Sequence, residues 1–549
     1  MRKQTTVFVG IVVLLSSLRV ASAIDYTYDA LNRLTKVTYD NSAYITYTYD
    51  AAGNRLTVAS LGGKPEPLPA SAMAGVAFEM PLPAAFASAE KIAVKGLPAG
   101  LKYDAVNRVI TGVATKSGVF NVTISAAGLT PQPVTFTVEA LPVWTQGAFN
   151  GFSEDGGLAT MSVTVAGKIT GKITVAGSNF TFSATSFAAG GGEEAGFGFE
   201  TTAKAGKLVL PLTLTLARAA EPQVLGVAEG LLGGTVPLAF YRNVWKTETG
   251  TLAPYVGYYT ATLPGNDEYG SGYLALTVDG AGKVKVGGKL ADGTAASQGG
   301  MLILGEAGRV FAVLYTSPSG YKGGCLYGLA EFVDPPDGEV YLRPLDGAPF
   351  LWSSLNPQAT SEFGAGFVRL LGLAGGWYSK TANLYDYYQN MNLTAAADTN
   401  APAPELTVGA TRYDSVCWNP AGVALTPILK SGVMTGLAAP AAGKPVDPEK
   451  DGVWDYSATN AVGLKIALAR ATGIFKGSFL SWFDYPDNKH VSKSLAFEGA
   501  LTPEREDKAD GIEGRGFFLW KDAATAPATG KAYSFSWSYD FLLLSEPVP

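Results

Sequence analysis

The chain holds one histidine, His490, in Asp487-Asn488-Lys489-His490, and two cysteines, Cys325 and Cys417. A Ser-His-Asp or Cys-His mechanism would depend wholly on that histidine, and a zinc site of the usual His-rich kind is excluded. With Lys489 beside it, solvated loop surface is the simpler reading. The cysteines lack metal-ligand spacing. In an oxidising compartment they form either one disulfide or two buried thiols. Paired carboxylates are harder to dismiss, because glycoside hydrolysis needs only two carboxyls at the right separation, which a sequence does not display. Glu193-Glu194 lie in a Gly-rich turn and Asp267-Glu268 follow Pro264-Gly265-Asn266, so both pairs read more simply as loop charges. Asp447-Pro448-Glu449-Lys450-Asp451-Gly452 lacks the spacing of an EF-hand and sets Lys450 against a cation. No catalytic residue, metal or cofactor is assigned on these patterns.

Binding is better represented than catalysis. Tyr385-Asp386-Tyr387-Tyr388-Gln389-Asn390 and Trp482-Phe483-Asp484-Tyr485-Pro486-Asp487-Asn488 mix rings with polar groups. Sugar recognition stacks a sugar face on a ring and anchors hydroxyls with Asp, Asn or Gln, and protein contacts use the same residue types. Tyr385, Tyr387, Tyr388, Trp482, Asp484 and Tyr485 are therefore the candidate ligand-binding residues. Against them stands strand core, the simpler account of alternating rings in a β-rich chain that is 11% aromatic. A polysaccharide or a surface protein is the expected partner. A nucleic acid is not, because the net charge is −6 and no cluster of Lys and Arg stands out.

The elements that position these residues begin with an export signal. Arg2 and Lys3 precede an apolar run from Val7 to Leu18, and the segment closes on Ala21-Ser22-Ala23. Charged, apolar and small-x-small regions in that order predict cleavage after Ala23 and a secreted or cell-surface protein. A spanning helix needs about 20 apolar residues, and this run is interrupted at Arg19. Phe363 to Gly375 is too short and contains Arg369, so no transmembrane span is expected after cleavage. Oligomeric state is left open by the sequence.

The 66 glycines, 32 prolines and low charge favour β-structure. Leu212, Leu214 and Leu216 alternate with Thr213 and Thr215, as Val134, Phe136 and Val138 do with Thr135 and Thr137. Near the C-terminus Tyr533, Phe535, Trp537, Tyr539 and Phe541 share one strand face opposite Ser534, Ser536, Ser538 and Asp540. An outer-membrane barrel is not the expected setting, since regularly spaced amphipathic strands are not evident upstream.

A short repeat opens the exported chain. Tyr26-Thr27-Tyr28-Asp29-Ala30-Leu31-Asn32-Arg33-Leu34-Thr35 returns as Tyr47-Thr48-Tyr49-Asp50-Ala51-Ala52-Gly53-Asn54-Arg55-Leu56-Thr57. Each copy predicts a strand, a tight turn with Asn32 or Gly53 at positive φ, and a return strand. The motif residues Tyr26, Tyr28, Asp29, Arg33, Tyr47, Tyr49, Asp50, Gly53 and Arg55 resemble the YD-repeat (Rhs-type) family of secreted bacterial proteins. The resemblance covers only Tyr26 to about Thr57. Family members that enclose toxins use long arrays, whereas two copies cannot bury a continuous core, so a toxin cage is not expected of this chain. The resemblance also implies a tyrosine face open to sugar, with cross-strand tyrosine packing as the simpler alternative.

After Gly62-Gly63-Lys64-Pro65-Glu66-Pro67-Leu68-Pro69, the Gly96-Leu97-Pro98-Ala99-Gly100-Leu101 turn, Tyr103-Asp104 and Ile110-Thr111-Gly112 resemble the Ig-like (cadherin-like) domain of bacterial surface proteins. That resemblance implies a β-sandwich that serves as spacer or adhesion module. Tyr103-Asp104-Ala105-Val106-Asn107-Arg108 also echoes the YD motif, but the Ig-like frame explains more of its surroundings. Further on, Met161 to Ile173 and Leu274 to Leu290 share a strand, Gly-Lys turn, strand pattern, and Leu464 to Leu480 is read as a third copy. These segments resemble uncharacterised β-rich repeats of secreted bacterial proteins.

The expected fold is all-β and multidomain, an Ig-like sandwich followed by two or three β-barrel or β-sandwich units. Its divisions are signal 1–23, YD-type repeats 24–60, linker 61–74, Ig-like domain 75–140, and β units 143–250, 251–350 and 351–549. The expected function is adhesion or binding, with a carbohydrate-active enzyme using an unrecognised Asp/Glu pair, or a structural stalk, as alternatives.

Overall fold

A computed structural model describes residues 24–547 except 40–42, 62–64, 155, 191, 193–195, 219–222, 232–233, 266–268, 337, 358–365, 382–383, 385–387, 389–390, 398–404, 409–410, 419–421, 452, 486–488, 507–510 and 526–531. The expected export segment 1–23, Glu193-Glu194 and Asp267-Glu268 lie outside the described residues. About 59% of the chain is strand, so the fold is all-β. Contacts divide it into two units, residues 1–140 and 141–549. Among the described residues no helix is long and apolar enough to cross a membrane.

One turn recurs through both units. In the first repeat the Asp29 N–H donates to the Arg33 carbonyl (3.0 Å) and the Asn32 N–H to the Asp29 carbonyl (3.0 Å). Asp29 Oδ1 accepts from the backbone of Leu31 and Arg33, and Asn32 takes φ 60°. The second copy closes the same way on Asp50, with Gly53 at φ 90°. Asp279 to Lys283 and Thr164 to Lys168 repeat the arrangement, with Gly282 and Gly167 in the left-handed position. An acceptor at the first position and a residue tolerant of positive φ at the fourth suffice to reverse the strand, so one short pattern serves both the YD segment and the later hairpins. Asp104 accepts from Val106 and Asn107 in a similar way, but there the left-handed residue is Arg108, four places on.

In the first unit, Asp25–Tyr28, Leu34–Thr38, Tyr44–Tyr49 and Arg55–Leu61 form a four-stranded antiparallel sheet. Arg33 ties the two copies together: it pairs with Asp29 (2.7 Å), donates to the Asp50 carbonyl (3.1 Å) and lies 4.9 Å over the Tyr49 ring. Two more sheets follow, of four and three strands, and enclose a core containing Ile110, Val122, Ile124 and Phe136. Leu68–Met73 pairs parallel to Gln132–Glu139, and the other neighbours are antiparallel.

The second unit repeats one topology three times. Gly147–Ser153 through Gly234–Arg242 are eight strands, each antiparallel to the next and the last to the first, closing a barrel. Leu210, Leu212, Leu214 and Leu216 point inward while Thr213 and Thr215 are exposed, the reverse of a lipid-facing barrel. A second ring of eight begins at Gly257–Leu263 and closes through Ala374–Trp377, which pairs with both Gly257–Leu263 and Tyr341–Pro344. Its closing strand thus comes from beyond residue 350. A Cβ at Gly375 would sit 2.2 Å from the Thr260 carbonyl oxygen, which explains the glycine in that strand. The hairpin Phe350–Ser353 and Val368–Leu371 joins the ring's sixth strand, Leu326–Val333, next to Tyr341–Pro344, and sends Phe350 and Trp352 into the core.

The third set runs from Met391–Ala397 to Ala532–Pro547, which pair with each other. Its third and fourth strands, Val433–Ala438 and Lys465–Ala469, lie side by side without a ladder among the described residues. Lys465–Ala469 is a strand, as the repeat pattern implied. Its hairpin nevertheless joins strands four and five of its set, whereas the hairpins at 157–175 and 272–289 join strands two and three. The positional counterpart is Val423–Lys430 with Val433–Ala438, whose turn at Ser431-Gly432 lacks the Gly-Lys signature.

The second and third barrels are joined directly. The Ser271 N–H meets the Gly516 carbonyl (3.1 Å) and Asp540 Oδ1 (3.0 Å), Ser538 Oγ donates to the Ala291 carbonyl (2.6 Å), and Tyr258 Oη donates to the Thr472 carbonyl (2.9 Å). Cys325 is buried and Cys417 half-buried, and both are free thiols. Burial pushes each thiol's pKa up.

Candidate functional site

The third barrel turns an unusual outer face toward the second. Along Lys465–Ala469, Ile474–Tyr485, Lys489–Leu501 and Ile512–Thr525, Phe475, Phe497, Phe518 and Trp520 point into the core. Strand alternation then places the intervening residues outside. On that outer face Lys465 pairs with Ser478, Ala467 with Lys476, Ser478 with Ala496, Lys476 with Glu498, and Glu498 with Phe517. Small side chains at Ala467, Ser478 and Ala496 make a trough, with Lys465 and Lys476 on one side and Leu519 and Lys521 on the other.

The segment 289–293 of the second barrel supplies the facing wall and closes a cleft of about 810 Å³. Its position is fixed by a chain of buried polar contacts. Trp352 Nε1 donates to Tyr321 Oη (3.1 Å), and Tyr321 Oη donates to Asp292 Oδ2 (2.8 Å). Asp292 Oδ1 accepts the Thr294 N–H (2.8 Å). Burial raises the Asp292 carboxyl above the usual carboxylate range and pushes the Tyr321 phenol up. Across the cleft, Lys289 pairs with Glu498 Oε1, and Tyr273 Oη donates to Glu498 Oε2 (3.0 Å). Burial and then the Glu498 charge push the Tyr273 phenol up.

Two carboxyls therefore share one cleft, the arrangement an Asp/Glu hydrolase would need. All four of their oxygens, however, accept from the protein's own groups. The geometry is that of a braced wall with cationic side chains projecting from it. Lys465, Lys476 and Lys521 are exposed and make no ion pair among the described residues. No group of three or more His, Cys, Asp or Glu is placed to hold a metal among the described residues.

The residues chosen from sequence fall elsewhere. Tyr385, Tyr387 and the Tyr485 side chain lie outside the described residues. Tyr388 is 2% exposed and packs into the third-barrel core, so its ring does not face a ligand. Trp482 and Asp484 do come together, with partners that the sequence did not single out. Trp482 Nε1 donates to the Ala461 carbonyl (3.1 Å), and Tyr456 Oη donates to Asp484 Oδ1 (2.5 Å). His490 is in a strand opposite Asp484, its ring edge-on to Trp454 (3.5 Å) and Trp482 (5.0 Å). The solvated-loop reading of His490 is thereby corrected: the strand begins at Lys489 and turns the next side chain onto the indoles. The cleft lysines were visible only as alternating strand residues. Their small neighbours on that face, Ala467, Ser478 and Ala496, come from three separate strands, and no local pattern distinguishes them from an ordinary solvated face.

In the first unit Tyr26 and Tyr28 are each 53% exposed, whereas Tyr47 and Tyr49 are half-buried beside Arg55 and Arg33. Tyr49 Oη donates to the Leu34 carbonyl (2.8 Å). The backbone N–H of Arg33 and the side chain of Asn54 lower the Asp29 and Asp50 carboxyls respectively. The YD residues thus act mainly as turn and cross-strand supports.

A family model described as RHS Repeat matches residues 28–64, which overlaps the four-stranded sheet of Asp25 to Leu61. No curated protein matches the chain.

Proposed function

We propose that this is an exported or surface-held binding protein whose second and third barrels present the ligand cleft, while the RHS-repeat sheet and the Ig-like sandwich serve as the attached modules. The expected ligand is a carbohydrate chain. The observation that carries the reading is the cleft: a trough floored by Ala467, Ser478 and Ala496 and held against a buttressed second wall. An open, pre-formed trough suits a chain lying along it, and rigid walls reduce the ordering that binding must otherwise overcome. The occupied oxygens of Asp292 and Glu498 favour binding over hydrolysis.

Ala496 is exposed on a strand face, so Ala496→Trp fills the trough while leaving the core alone. On a panel of immobilised acidic and neutral polysaccharides, the exported protein is expected to retain at least one, and Ala496→Trp to bind it at least roughly tenfold more weakly at unchanged melting temperature. Retention of none, or equal retention by the variant, contradicts the proposal. Release of soluble sugar during the assay would favour the enzyme alternative.

A further inference from the structure

The chain is acidic overall, at −6, yet this cleft is lined by four lysines against two carboxyls, Asp292 and Glu498. Of the four lysines that line it, Lys289 is committed to Glu498. Lys465, Lys476 and Lys521 extend from three different strands around the trough without an ion pair among the described residues. Like charges gathered on one surface repel one another, and an acidic ligand relieves that repulsion while gaining attraction from each ammonium. Resting on the cleft reading above, we propose that the cleft takes a carboxylate-bearing polysaccharide, a polyuronate, whose acid groups meet these three lysines while its sugar faces lie on the small side chains between them.

Three features distinguish this ligand from other polyanions. The two rings lining the cleft, Phe497 and Phe517, are each 3% exposed, so no base-stacking platform is offered. The cleft offers only three lysines without an ion pair among the described residues, on a chain of net charge −6, whereas a nucleic acid presents dense charge that calls for many clustered cations. The cations are lysines, compact and mobile point charges that suit carboxylates repeating along a flexible chain; the planar fork of Arg would favour one fixed phosphate.

The test compares polygalacturonate, neutral dextran of matched length and duplex DNA by calorimetry, using the full exported chain, the Lys465→Gln/Lys476→Gln/Lys521→Gln variant and Ala496→Trp. Polygalacturonate is expected to bind, to weaken as salt is raised, and to lose roughly tenfold or more in affinity in the triple variant, since each exposed ion pair contributes about 0.2–1 kcal/mol. The exposed lysines should leave the melting temperature unchanged, and the three single variants separate a binding loss from a folding defect. Dextran binding that ignores the lysine changes but falls in Ala496→Trp would overturn the polyuronate inference and leave the cleft standing. Binding to neither polysaccharide would overturn both, and DNA binding as tight as polygalacturonate binding would overturn the ligand class.

Discussion

Trp352→Ala is expected to destabilise the second barrel by about 3–5 kcal/mol, the usual cost of emptying a buried aromatic site. The ring is fully buried, 5.0 Å from Phe367 and 6.2 Å from Tyr269 between centroids. Its indole N–H also donates to the hydroxyl that holds Asp292. The damage therefore passes from the core to the 289–293 wall, and ligand affinity should fall together with stability. Scanning calorimetry should place the transition lower by roughly 10 °C. Tyr321→Phe, which removes only the hydroxyl, should cost about 1–3 kcal/mol by leaving Asp292 short of a partner. A Trp352→Ala variant that melts within about 2 °C of the parent, below the shift of a single kcal/mol, would show that this chain of contacts does not support the barrel.

Glu331→Gln is expected to cost about 2 kcal/mol at neutral pH. Glu331 is 6% exposed and accepts from Arg309 Nε (2.8 Å) and Arg343 Nε (2.9 Å). Arg309 continues to Asp346 (2.7 Å) and Arg343 to Glu506 (2.9 Å) on the third barrel. Burial alone would raise this carboxyl, but hydrogen bonds and charge from the two arginines outweigh it, and the net displacement is downward. Removing one member of a fully buried pair typically costs about 3–5 kcal/mol, and here the arginines are about one-third exposed, which reduces the figure. A depressed folded-state pKa means that the stabilisation is present above the unfolded-state value of 4.5 and is lost as pH falls through the lower folded-state value. The gap between parent and variant in urea unfolding should accordingly be full at pH 7 and shrink below about pH 4.5. A gap that stays constant with pH, or is absent at pH 7, would contradict this assignment.

Much of the architecture was legible because period-two burial is a local property. Leu212 to Leu216 and Val134 to Val138 alternate as a strand with one buried face must, and the structure buries the residues expected. The YD turn was legible for a similar reason: Asn32 and Gly53 are where a left-handed residue is needed, and their φ values of 60° and 90° bear that out. The last strand shows where local pattern stops. Tyr539 and Phe541 are buried as expected, but Ser538 is only 1% exposed and Asp540 is bonded to Ser271, because the second barrel covers the face that reads as solvent-exposed.

The site was less legible, for the same reason. Lys465, Lys476 and Lys521 become a cleft only when the segment 289–293, far earlier in sequence, stands opposite them, and no periodicity encodes that encounter. A ring in a mixed aromatic and polar segment reads as a binding group, yet the fold takes Tyr388 into the core. The Gly473 turn gives Leu464 to Leu480 the look of a third hairpin copy although it joins strands four and five, whereas the positional counterpart keeps the topology and lacks the motif.

Lysine acetylation read by mass spectrometry, with and without bound polygalacturonate, tests the cleft most directly. Lys465, Lys476 and Lys521 should react readily in the free protein and become protected in the complex, while Lys207 on the first barrel and Lys102 in the first unit react equally in both. Protection that spares the three cleft lysines while falling on those distant ones, or uniform labelling under saturating polygalacturonate, would contradict the assignment of the cleft as the binding site.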